Sequence, residues 1–74
     1  MAERRMLTLA MRAGFIDNEQ LADFLDCPPK AVRALLRKRA PRTAEEAREL
    51  AWRAGCSEYP LFRLLRQAGH KLER

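Results

Sequence analysis

Apolar residues recur along this chain at three- and four-residue intervals, the spacing of one face of an α-helix. Met6, Leu9, Ala10 and Ala13 form the first stripe, broadened by Leu7 and Met11. They predict a helix from about Ala2 to Ala13 that ends at Gly14. Phe15 and Ile16 make a short apolar link. Asp17 or Asn18 then caps a second helix over Asn18–Leu25, with Leu21, Ala22, Phe24 and Leu25 as its apolar positions. The pair Pro28-Pro29 rules out one continuous helix, yet proline is accommodated in the first turn of a new one. This third helix carries Val32, Leu35 and Leu36 and runs to about Lys38, where Ala40-Pro41-Arg42 breaks it. Thr43, with Glu46 three residues on, has the spacing of a capping box and opens a fourth helix reaching Ala54 and ending at Gly55. Ser57 or Glu58 opens a fifth, with Pro60 in its first turn, which reaches about Ala68 and closes at Gly69. No segment carries a strand signal. The expected fold is all-α, a compact five-helix bundle spanning residues 1–74 as a single domain.

Two internal similarities accompany this pattern. LAMRAG at Leu9–Gly14 matches LAWRAG at Leu50–Gly55, and LADFLDC, from Leu21, parallels LAWRAGC. Both point to a shared local need, a short helix ending in a tight turn over a core, and two units are too few for a solenoid. With 74 residues the chain stands near the lower limit for folding on one core. Its 47% hydrophobic content suits a small helical domain and argues against disorder. No apolar run approaches the roughly 20 residues that span a bilayer. Arg12 interrupts the apolar stretch near the N-terminus, so no signal peptide is read and a cytoplasmic protein is expected.

Charge changes the picture through its distribution. Residues 1–29 hold three bases and five acids, residues 30–42 six bases and no acid, and residues 43–74 six bases and five acids. The surplus behind the net +5 therefore resides in one thirteen-residue segment of charge +6, covering the third helix and the break after it. A basic run can be a solvated face. Here it coincides with the second of two short helices joined by a tight turn, the arrangement by which a helix-turn-helix presents a helix to a DNA major groove.

Other chemistry is sparse. Cys27 and Cys56 have no metal-ligand spacing, and each follows a helix end, where a small buried hydrophobe is expected ahead of a disulfide or redox role. His70 has no Asp or Ser constellation around it and reads as a surface or helix-end residue. No nucleophile–base pair, carboxylate dyad or phosphate-cradling glycine loop is visible, so an enzyme is not expected and no metal or cofactor is implied. Trp52 and Tyr59 read as core or packing residues.

From about Leu9 to Leu65 the chain resembles the lambda-repressor-like (Cro-type, XRE) helix-turn-helix domains. The resemblance rests on Leu21-Ala22, Leu25, Cys27, Val32 and Leu35 at that family's core spacing. It also rests on LAWRAGCSEYPLF at Leu50–Phe62, similar to the family's later segment. It implies an all-α bundle of five helices whose third helix enters the major groove. Two departures stand out. Asp26 occupies a turn position where the family favours Gly and positive φ. Pro28 and Pro29 stand where it usually has Ser, Gln or Thr, and prolines can pack on a thymine methyl but cannot hydrogen-bond base edges.

On the third helix Lys30, Arg33, Ala34 and Arg37 lie at i, i+3, i+4 and i+7 and share one face, opposite Val32, Leu35 and Leu36. Arg33 and Arg37 are the candidates for bidentate contacts to guanine, with Lys30 on a base or phosphate and Pro29 at the blunt leading end. Lys38, Arg39 and Arg42, beyond the helix, suit phosphates, as does Asn18 at the amino end of the second helix. The expected partner is double-stranded DNA. One small module buries little surface, so a homodimer on a palindromic site is expected, with Leu61, Phe62, Leu65 and Leu72 as its seam. By analogy the setting is a phage, plasmid or toxin–antitoxin regulator. The alternative is a protein-interaction module of the same shape, an inhibitor or adaptor that binds a protein and not DNA.

Overall fold

The computed structural model describes residues 4–73. Five helices follow in order: α1 (Met6–Arg12), α2 (Asn18–Leu25), α3 (Pro29–Leu36), α4 (Ala44–Ala54) and α5 (Glu58–Gln67). Among the described residues there is no extended strand, only two isolated bridges, Arg5 with Arg39 and Thr43 with Glu73. The all-α bundle expected from the apolar spacing is the observed architecture.

Each helix delivers its stripe to one core. Met6, Leu9 and Ala10 come from α1, and Leu21, Ala22 and Leu25 from α2. Val32 and Leu35 of α3 meet Ala47 and Ala51 of α4 and Leu61, Leu64 and Leu65 of α5. Both α3 and α5 pack on α1, α2 and α4, so these two helices organise the bundle. The buried positions of α4 are alanines, which lets its backbone lie close to its neighbours.

Four helices end in the same way. After α1, α2, α4 and α5 the chain steps into the left-handed region at Gly14 (φ 99°), Asp26 (φ 55°), Gly55 (φ 77°) and Gly69 (φ 74°). The next residue's N–H then bonds the carbonyl five residues back: Phe15 to Ala10, Cys27 to Ala22, Cys56 to Ala51 and His70 to Leu65. These are Schellman endings, and they give the LAMRAG, LAWRAG and LADFLDC likeness its physical origin. Asp26 adopts φ 55°, ψ 50° where its three counterparts are glycine.

The starts follow the expected chemistry. Asp17 Oδ1 accepts from the Glu19 N–H at 2.9 Å, and Pro29 is the first residue of α3. Thr43 and Glu46 form the reciprocal capping box, with the Glu46 N–H donating to Thr43 Oγ1 at 3.1 Å and Glu46 Oε2 accepting from the Thr43 N–H at 3.2 Å.

Three expectations change. The helix expected from about Ala2 begins at Met6; Ala2 and Glu3 lie outside the described residues. Arg4 and Arg5 leave helical geometry because their segment pairs with the α3–α4 connection: the Ala40 N–H donates to the Arg4 carbonyl at 2.8 Å and the Met6 N–H to the Lys38 carbonyl at 2.9 Å. That pairing also ends α3 at Leu36, short of Lys38, with Arg37 as a cap still in right-handed geometry (φ −80°, ψ −16°). Trp52 and Tyr59, expected inside, are 82% and 73% exposed. Each is displaced round its helix from the buried stripe, Trp52 by one residue from Ala51 and Tyr59 by two from Leu61.

Candidate nucleic-acid interface

The third helix divides cleanly. Val32 and Leu35 are fully buried, while Lys30, Arg33, Ala34 and Arg37 are exposed together on the opposite side. Amphipathic spacing alone accounts for this, because an eight-residue helix with two buried anchors has one orientation on the core. Pro29 is exposed at the leading end of that face.

The connection after α3 gathers the remaining cations. Arg37, Lys38 and Arg39 line one cleft with Arg5, which the pairing of residues 4–6 with 38–40 brings across from the other end of the described chain. Four basic side chains thus border one depression at the carboxyl end of α3. On the far side Lys38 and Arg39 also border a groove with Leu50, Arg53 and Glu49, whose carboxylate meets Arg53 at 2.7 Å.

Arg42 is exposed one turn later, and its backbone is held on both sides. Its N–H donates to Glu46 Oε2 at 3.1 Å, and its carbonyl accepts from the Glu73 N–H at 2.7 Å. Asn18 lies elsewhere. It is exposed, but it borders an apolar groove with Leu7, Met11, Ile16 and Leu36, and the basic cleft does not include it.

Sequence reasoning missed Arg5. Its only local signal is a basic pair without a helix cap ahead of the α1 stripe, and its neighbours in the cleft lie more than thirty positions away in sequence. Reading α5 as a seam also needs correction. Leu61 and Leu65 are 0% and 1% exposed, so the leucines thought too many for one helix face are absorbed by the core. Phe62 and Leu72 remain half-exposed, bordering a shallow groove with Arg66, His70 and Lys71.

Aromatic groups gather near α2 and α5. Phe15 and Phe24 stack at 4.9 Å between centroids, and the Arg63 guanidinium lies over both Phe24 and Tyr59, 5.4 Å and 6.0 Å from their centroids. Arg63 is thereby committed to intramolecular cation–π contact. No helix among the described residues is long and apolar enough to cross a membrane. No family model, curated protein or solved structure matches the chain.

Proposed function

We propose that this protein binds double-stranded DNA through α3 and the basic cleft beside it, as a small transcriptional regulator of the lambda-repressor-like kind. The single observation that carries this reading is the convergence of Arg5, Arg37, Lys38 and Arg39 at the end of a helix whose exposed face already holds Lys30 and Arg33. Clustered cations of this kind attract a phosphate backbone, and a helix with one basic face suits a groove lined by phosphates. Arg33 and Arg37 are the candidates for reading guanine edges, and Lys30, Lys38, Arg39, Arg5 and Arg42 for phosphates. Pro29 and Ala34 offer only apolar contact, so direct readout rests on the two arginines. In this reading two copies occupy a palindromic site.

A salt titration tests it. If Arg5, Lys30, Lys38, Arg39 and Arg42 each neutralise a phosphate, log K against log salt has a slope of about −4.5, and affinity falls roughly five-hundredfold between 50 and 200 mM salt. Arg33→Ala should cost ~1–3 kcal/mol on a selected site and relax one base position. Arg5→Ala should weaken binding to all sequences and flatten the slope by about one. An Arg33/Arg37 double alanine variant with unchanged affinity would refute the assignment.

A second reading is favoured by one observation. Ile16, Trp52 and Tyr59 are 92%, 82% and 73% exposed, and large exposed apolar groups of this kind anchor protein partners. A protein-directed module would show a shallow salt dependence in the same titration and no retention on DNA.

A further inference from the structure

Cys27 and Cys56 hold equivalent places in two of the four matching helix endings. Each follows the left-handed residue, Asp26 or Gly55, and each backbone N–H is tied to the carbonyl five residues back. The repeated ending therefore delivers one sulfur from the α2–α3 turn and one from the α4–α5 turn to the same place. The Cys56 thiol donates a hydrogen bond to Cys27 Sγ at 3.2 Å, and both residues are half-buried against the core edge. We infer that Cys27 and Cys56 are a redox-active dithiol that closes to a reversible intramolecular disulfide, tethering the start of α3 to the α4–α5 turn.

The geometry favours this over a metal. Zinc–sulfur bonds of about 2.3 Å place two tetrahedral thiolates about 3.8 Å apart, further than these sulfurs stand. Among the described residues no group of three His, Cys, Asp or Glu could hold an ion. Closing to a disulfide needs only about 1 Å of approach, and both cysteines lie on turns able to supply it. Both cysteines are half-buried residues on surface turns, within reach of a small oxidant.

The order of events follows from the hydrogen bond. Cys27 Sγ is the acceptor and Cys56 the donor. Burial, then the hydrogen bond to Cys27 and its charge, push the Cys56 thiol up from 9.0 to about 12, so Cys56 keeps its proton while Cys27 reacts. The Cys27 thiolate attacks one sulfur of a small disulfide such as oxidised glutathione, forming a mixed disulfide and releasing one glutathione thiolate. Two causes of the Cys56 shift disappear with that thiolate. Cys56 then loses its proton to the departing glutathione and attacks Cys27 Sγ, expelling the second glutathione as thiolate, which takes up the proton lost from Cys27. Two protein thiols and one glutathione disulfide become one protein disulfide and two glutathiones. The tether is independent of the nucleic-acid reading.

The test equilibrates the full reduced chain in glutathione buffers of increasing oxidised fraction, quenches with acid, caps free thiols with a maleimide and reads the intact mass. The expected product is a monomer two hydrogens lighter with neither cysteine capped, restored by dithiothreitol. It closes a loop across 29 positions, so its thermal midpoint should exceed that of the reduced form by on the order of 10 °C. Cys56→Ser should stop at a glutathione adduct on Cys27. Two capped cysteines at every ratio, a lasting glutathione adduct on the unaltered chain, disulfide-linked dimers, or an oxidised form that melts no higher than the reduced one would each overturn the inference. Should the serine variant fail to fold, mass and melting of the unaltered chain decide alone.

Discussion

At Asp26 the backbone adopts φ 55°, ψ 50°, which an L side chain enters at a cost that glycine does not bear. Aspartate bears it better than most residues, yet its carboxylate also sits at the carboxyl end of α2, where the helix dipole disfavours negative charge. Both effects point the same way. Asp26→Gly should raise stability by ~0.5–1 kcal/mol in urea unfolding, while Asp26→Val, branched at Cβ, should lower it. Cys56 makes a second residue-scale prediction. Its folded thiol holds a proton that the unfolded chain releases near pH 9, so stability present below pH 9 is lost as pH rises toward 12. Chemical denaturation of the reduced protein across that range should show the decline, and a Cys56→Ala variant should show less of it.

Among the elements, α4 shows how side-chain size sets helix position. Ala47 and Ala51 are fully buried and face α3 and α5, so neither site has room for a longer side chain. Ala51→Leu should destabilise by about 1–3 kcal/mol through overpacking, although leucine ranks just behind alanine as a helix former. Its neighbour Trp52 gives the contrast: 82% exposed, it should tolerate Trp52→Ala within about 0.5 kcal/mol. Thermal melts of the two variants would separate burial from helix propensity as the source of the effect. The third helix differs from the rest by lacking a left-handed ending, because pairing with residues 4–6 captures its exit and turns its last cations toward Arg5.

At the scale of the molecule, the α3–α4 connection is clamped from both ends of the described chain. Residues 38–40 pair with residues 4–6, and the following residues are held by the C-terminal segment. His70 Nε2 lies 2.6 Å from the Pro41 carbonyl, which can only accept, so Nε2 carries the proton. The Glu73 N–H meets the Arg42 carbonyl, and Gln67 Nε2 donates to the Ala13 carbonyl at 2.7 Å, joining the ends of α5 and α1. The most basic stretch is thereby a fixed edge of the fold. His70→Ala should cost ~1 kcal/mol of stability and speed amide exchange at Glu73 and Met6, leaving exchange in the α2 core unchanged.

The sequence by itself determined the helices, their caps and the division of α3 into a buried and a basic side. These follow from contacts within a few residues: apolar spacing, a proline pair, Thr43 with Glu46, a glycine after the stripes of α1, α4 and α5. The Asp26 turn was legible for the same reason. Tertiary structure alone decided which apolar residues the core could hold, placing Leu61 and Leu65 inside and Trp52 and Tyr59 outside. It also set Arg5 beside Arg37–Arg39 and Cys27 against Cys56. Those juxtapositions join segments about thirty positions apart, and local periodicity carries no information about which helix ends will meet. Packing of α3 and α5 against three neighbours each supplies it.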